Sequence, residues 1–133
     1  MSIRVLLADD SPIILSAIRK TLEEEPRIEI VGEASTFAQT MRMIAELKPE
    51  VLILDLHMPE KGDFTSAFVN SQLVSVDSIV AVSFSNDEEG KNLAETYGAA
   101  ALLDKMKLYS DLIPAILECC ERRRVSKRYS ASA

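Results

Sequence analysis

The sequence predicts an α/β domain: a doubly wound, five-stranded parallel sheet in which every strand is followed by a helix. Two observations carry that prediction. Five short apolar runs recur along the chain, and the segments between them place apolar residues at helical spacing. Several runs are apolar on both alternating faces, as strands covered by helices on either side must be. Strand and helix alternating five times over short connections indicates parallel pairing. A strand order of 2-1-3-4-5 then sets the first and third strands side by side, with all strand C-termini on the edge where such sheets bind ligands.

The expected strands are Ile3 to Ala8, Ile28 to Val31, Val51 to Leu54, Ile79 to Val82 and Ala100 to Leu103. The first helix opens on the pair Ser11-Pro12, a capping hydroxyl followed by a first-turn proline. It carries Ile14, Ile18 and Leu22 on one face and stops near Pro26. Phe37, Met41, Ile44 and Ala45 form the stripe of a second helix that ends before Pro49. A third is expected after Asp63, with Phe64, Phe68 and Val69 inward, and a fourth capped by Asn86 and closed by Gly98 in the left-handed region. Ser110 is the expected cap of the fifth, whose stripe is Leu112, Ile113, Ile116, Leu117 and Cys120. Pro114 falls in its first turn, where proline is tolerated. Cys119 and Cys120 are expected one outward and one inward.

The chain has 133 residues, 47% of them apolar, enough for one domain with a substantial core. Neither a membrane-spanning run nor a signal-peptide pattern is present. Two adjacent cysteines do not readily form a structural bridge, which fits a reducing cytoplasm. The net charge of −6 conceals an asymmetry. Residues 1–120 hold 20 acidic against 10 basic side chains, whereas the last 13 residues are net +4. The acidic body disfavours nucleic acid as its partner. The expected organisation is one domain over 1–124 and a basic flexible tail over 125–133.

The chemistry concentrates where the strands end. Asp9 and Asp10 follow the first strand, Asp55 the third, Ser83 the fourth and Lys105 the fifth. Three carboxylates converging in one crevice repel one another, and a divalent cation relieves the repulsion. An all-oxygen set with carboxylates suits Mg²⁺. Lys105 adds a fixed cation and Ser83 a hydroxyl, completing the parts needed to transfer a phosphoryl group to an aspartate. Asp55 is the expected nucleophile, because it ends an apolar central strand that sets its direction. Ser85 takes the place of Ser83 if the fourth strand is shifted.

With these residues in this order, the chain from Ile3 to Cys120 resembles the CheY-like receiver domains of two-component response regulators. The resemblance rests on Ala8-Asp9-Asp10, Asp55-Leu56-His57-Met58-Pro59, Ser83, and Lys105 following Gly98-Ala99. The first half is most similar to receivers of regulators with a helix-turn-helix output. The resemblance implies a flavodoxin-like fold and a phosphoacceptor role for Asp55, loaded from the phosphohistidine of a sensor kinase or phosphotransfer protein. It implies Mg²⁺ held by Asp9, Asp10, Asp55 and the backbone carbonyl of His57, with Lys105 and Ser83 engaging the phosphoryl oxygens. It also implies a cytoplasmic signalling domain that catalyses only its own phosphorylation and dephosphorylation. A downstream output, which no motif identifies, and a homodimer contact through the fourth helix, fifth strand and fifth helix complete the expectation. The side chain of His57, the only histidine, has no role in that scheme, and a lone loop histidine is more often incidental.

Four departures from the family pattern stand out. Asp63 occupies the position eight residues beyond Asp55 where relatives carry glycine, leaving Gly62 to take any unusual backbone conformation. Leu102 replaces the aromatic residue that turns inward on activation. Met106 follows Lys105 where relatives have proline, so a cis peptide is not expected there. Phe84 replaces a small residue after Ser83 and would screen the phosphoryl group. Two rival readings follow. One is a pseudo-receiver that accepts no phosphate, motivated by Leu102 and the altered loop. The other is a Mg²⁺-dependent phosphohydrolase with an aspartyl-phosphate intermediate, disfavoured because no second acid stands two residues beyond a first-strand nucleophile.

Overall fold

The computed structural model describes residues 2–58, 64–84 and 87–132. Five strands alternate with five helices: β1 (Ile3–Ala8), α1 (Pro12–Glu23), β2 (Ile28–Ala34), α2 (Phe37–Leu47), β3 (Val51–Asp55), α3 (Ser66–Val74), β4 (Ser78–Ser83), α4 (Glu88–Thr96), β5 (Ala101–Asp104) and α5 (Leu108–Ser132). A 3₁₀ turn over Lys105–Lys107 joins β5 to α5. All pairings are parallel and the order is β2-β1-β3-β4-β5, the doubly wound arrangement expected from the alternation.

Period-two alternation along the central strands divides the core. Val5, Leu7, Val51, Ile53, Val80 and Val82 face α1 and α5, where they meet Ile18, Leu22, Leu112 and Ile116. Leu6, Leu52, Leu54 and Ile79 face the other way, against Phe37, Met41 and Ile44 of α2 and Val69 and Leu73 of α3. Every residue of β3 is buried, so its direction is set from both faces. Truncating one of these leucines to alanine costs about 2–5 kcal/mol, which is why register at this strand tolerates little slippage.

Helix starts follow local chemistry. The Ser11 hydroxyl accepts from Ile14 N–H, with Pro12 in the first turn, as expected. Thr36 caps α2 and Lys48, in the left-handed region at φ 48°, closes it. Gly98 has φ 72°, the conformation expected of it after α4. No described peptide bond is cis, so the bond before Met106 is trans.

Several expectations require correction. α3 begins at Ser66, capped by Thr65, and Phe68 lies on its exposed side, stacked 5.4 Å from Phe64. Asp87 caps α4 through Gly90 N–H. Asn86, the expected cap, lies outside the described residues, as do Ser85, Gly62 and Asp63. Ser110 is not a cap: Asp104 accepts from Met106 N–H and opens the 3₁₀ turn, so helical winding starts before Ser110. Cys119 and Cys120 are both buried, because the buried stripe 112-116-119-120 is wide enough to take two adjacent positions. Finally, α5 continues to Ser132. The backbone of residues 125–132 is helical, consistent with the absence of Gly or Pro after Pro114, which leaves the expected boundary after residue 124 untested.

Candidate functional site

β1 and β3 are neighbours, and their C-terminal ends deliver Asp9, Asp10 and Asp55 to one crevice. One carboxylate oxygen from each lies within 4.8 Å of the other two. Asp9 and Asp55 are buried and Asp10 is exposed. Each buried acid is aimed by a main-chain donor two residues on. Ser11 N–H donates to Asp9 Oδ1 at 2.9 Å, and His57 N–H donates to Asp55 Oδ1 at 3.0 Å. The Asp9-to-Pro12 stretch is therefore both a capped strand-to-helix turn and one wall of the site.

Lys105 arrives from the other side, from the 3₁₀ turn after β5. Its Nζ lies 2.7 Å from Asp9 Oδ2 and 3.2 Å from Asp55 Oδ1. Burial pushes the Asp55 carboxyl above the usual carboxylate range, and the neighbouring Asp9 charge adds to the shift. The His57 N–H and the Lys105 ammonium pull in the opposite direction without cancelling it. The ammonium covers one of three negative charges when all are ionised. Asp9 Oδ2 meets it as an ion pair but has no aligned hydrogen-bond donor among the described residues. Two uncompensated charges and a set of oxygen donors alone fit a hard divalent cation such as Mg²⁺.

Ser83 closes β4, buried and paired in register with Asp104. Its Oγ lies 3.2 Å from His57 Nε2. That contact joins the ends of the neighbouring strands β3 and β4 through the lone histidine, and no spacing rule in the sequence signals it. Phe84 is exposed, with the Lys105 ammonium 5.0 Å from its ring centroid, so the lysine is covered by a π-face. Leu102, in place of the family's aromatic, packs half-buried against Leu56, Ala81 and Ala94. All five expected side chains, Asp9, Asp10, Asp55, Ser83 and Lys105, thus gather at one edge of the sheet, and His57 adds a side-chain contact there.

Comparison with known proteins identifies the family of the chain. The response regulator receiver domain family matches residues 5–117. A protein-glutamate methylesterase/protein-glutamine glutaminase of Methanospirillum hungatei is 32% identical over 82% of this chain, the match covering 32% of that protein. The transcriptional regulatory protein LiaR of Bacillus subtilis is 33% identical over 86% of this chain and 54% of its own length. The chain thus spans about a third of such methylesterases and about half of LiaR. Relatives of both kinds appear, so similarity is not confined to transcriptional regulatory proteins. Among solved structures, the non-phosphorylated receiver domain of the Escherichia coli stress response regulator RcsB superposes with a TM-score of 0.78 at 25% identity, covering 92% of this chain and 95% of that one. The chain belongs to the response regulator receiver domain family of two-component signalling.

Proposed function

We propose that this domain is a phosphorylation switch whose acceptor is Asp55. The observation that carries the reading is the position of that carboxylate. It ends the fully buried central strand, is aimed by the His57 N–H, and lies beside Asp9, Asp10 and the Lys105 ammonium.

The donor is the phosphohistidine of a sensor kinase or phosphotransfer protein. An Asp55 carboxylate oxygen attacks phosphorus, the new P–O bond forms as the P–N bond breaks, and the departing imidazole takes a proton from solvent. Hydrolysis reverses the loading. Water attacks phosphorus, the acyl phosphate P–O bond breaks, and the Asp55 carboxylate and inorganic phosphate are released. Asp9, Asp10, Asp55 and the His57 carbonyl would hold Mg²⁺, which supplies Lewis-acid neutralisation of the phosphoryl oxygens. Lys105 supplies a second, fixed positive charge at the same oxygens. It is pre-positioned by Asp9, so little reorganisation is needed when charge builds up. Ser83 donates its hydroxyl to a phosphoryl oxygen. Phe84 over the lysine restricts access of water to the loaded site.

Loading biases a pre-existing equilibrium between two arrangements of the signalling surface formed by α4, β5 and α5. With Leu102 in place of an aromatic, the response passes through the Leu56–Ala81–Ala94 packing rather than through an inward-turning ring. The same surface is the proposed homodimer contact. The domain acts in the cytoplasm and catalyses only its own phosphorylation and dephosphorylation. Its boundaries are residues 1–124, with the basic segment 125–133 outside the switch. Among the described residues no helix is long and apolar enough to cross a membrane.

Incubation with Mg²⁺ and a small acyl-phosphate donor tests the reading. A single hydroxylamine-sensitive phosphoryl group that disappears in Asp55→Asn is expected. No adduct, or equal labelling of the variant, would overturn it in favour of a pseudo-receiver. Rapid turnover of a phosphate ester would favour the hydrolase.

A further inference from the structure

The phosphoacceptor scheme uses only the backbone of His57, yet its ring is committed to a specific contact. Nε2 lies 3.2 Å from Oγ of Ser83, a residue buried at the end of another strand. The ring is anchored, because the His57 N–H is bonded to Asp55 Oδ1 and the turn that orients the acceptor also places the imidazole. Ser83 Oγ has one proton to give and two lone pairs to offer. In either tautomer of the ring, a bond to Nε2 fixes where that hydroxyl sits. A phosphoryl group on Asp55 asks the same hydroxyl for its proton, from a different direction.

We propose that His57 is a positioning residue that latches Ser83. Its imidazole holds the hydroxyl in the resting arrangement, and loading of Asp55 exchanges the Ser83–His57 bond for one to a phosphoryl oxygen. The proposal rests on Asp55 being the acceptor. It makes His57 a determinant of how far the resting state resists loading. The energy at stake is that of one hydrogen bond exchanged for another, so its removal shifts the equilibrium modestly rather than abolishing it.

Titration of the Mg²⁺-loaded protein with beryllofluoride, followed by NMR, measures the equilibrium without turnover. His57→Ala should tighten the apparent affinity about 2- to 10-fold, the range spanned by one net hydrogen bond. His57→Gln, which keeps a hydrogen-bonding group, should return it towards the original value. In a Ser83→Ala background the His57→Ala change should have no further effect, because the latch has lost its other half. In the metal-free protein, Ser83→Ala should shift the ring nitrogen resonances of His57. Unchanged or weaker affinity in His57→Ala, the same effect with Ser83 absent, or ring resonances indifferent to Ser83 would each overturn the latch. Failure of the otherwise unaltered protein to form any adduct would instead overturn the acceptor reading and take the latch with it. The metal-free ring measurement reports on the contact independently of that outcome.

Discussion

The two edges of the sheet carry the same small motif, one cation bridging two carboxylates, in opposite settings. At the C-terminal edge, Lys105 bridges Asp9 and Asp55, with side-chain exposures of 5%, 0% and 2%. At the N-terminal edge, Arg123 of α5 lies 2.8 Å from Asp77 and 3.8 Å from Glu50, with exposures of 21%, 51% and 37%. Solvent screens the second cluster, so it can hold α5 against the ends of β3 and β4 while contributing little net energy. The first cluster is desolvated, has Asp10 beside it, and keeps an acid whose ionisation the fold opposes. The difference teaches where stability has been given up. Only the C-terminal edge stores charge that a cation or a phosphoryl group can act upon.

The largest break in this comparison comes from removing the upper cation. Lys105→Met should lower stability by about 3–5 kcal/mol at neutral pH without divalent cation, because two buried carboxylates lose their partner. Denaturant unfolding measures it, and the loss should shrink as acid protonates Asp55. Asp55→Asn should act in the opposite direction, raising stability at neutral pH, because burial and the Asp9 charge oppose ionisation of that carboxyl in the folded state. The sign follows from linkage. A carboxyl raised in the folded state is bound to its proton more tightly there than in the unfolded chain. Its unfavourable contribution is therefore absent below the unfolded value of about 3.9 and grows as pH climbs through the raised one. The gain of Asp55→Asn should vanish in acid. Equal stability of the two proteins at both pH extremes would contradict the strained-edge account.

Adding Mg²⁺ sharpens the contrast from the ligand side. At tenfold excess over its dissociation constant it should stabilise the protein by about 1.4 kcal/mol, with a smaller gain in Asp55→Asn. Arg123→Ala is the smallest expected effect, about 0.2–1 kcal/mol, fading with added salt and leaving the Mg²⁺ response intact. A large, salt-insensitive loss there would remove the distinction between the two edges.

Much of this arrangement was legible in the sequence because it depends on strong local signals. β3 is apolar on both faces and ends in Asp55, and Ser11-Pro12 announces a helix immediately after Asp9-Asp10. Once the strands alternate with helices, the sheet order brings those acids together. Features set by competition among near-equivalent neighbours were less legible. Ser110 is a good cap, but Asp104 caps the backbone earlier and the winding passes through it. Phe68 has the right period to point inward, yet the buried face of α3 is formed by the expected Val69 together with Leu73, and Phe68 is left exposed. Cys119 and Cys120 look like an inside–outside pair until the width of the α5 stripe is known. The His57–Ser83 contact depends on how far β4 extends beside the turn after β3, which periodicity does not encode.

Mass spectrometry of the intact protein, after incubation with Mg²⁺ and an acyl-phosphate donor, tests the central claim most directly. The account predicts one added phosphoryl group, located on Asp55, lost on treatment with hydroxylamine and absent from Asp55→Asn. An unmodified protein under conditions where Mg²⁺ binding is saturated, or a phosphoryl group retained in Asp55→Asn, would contradict it.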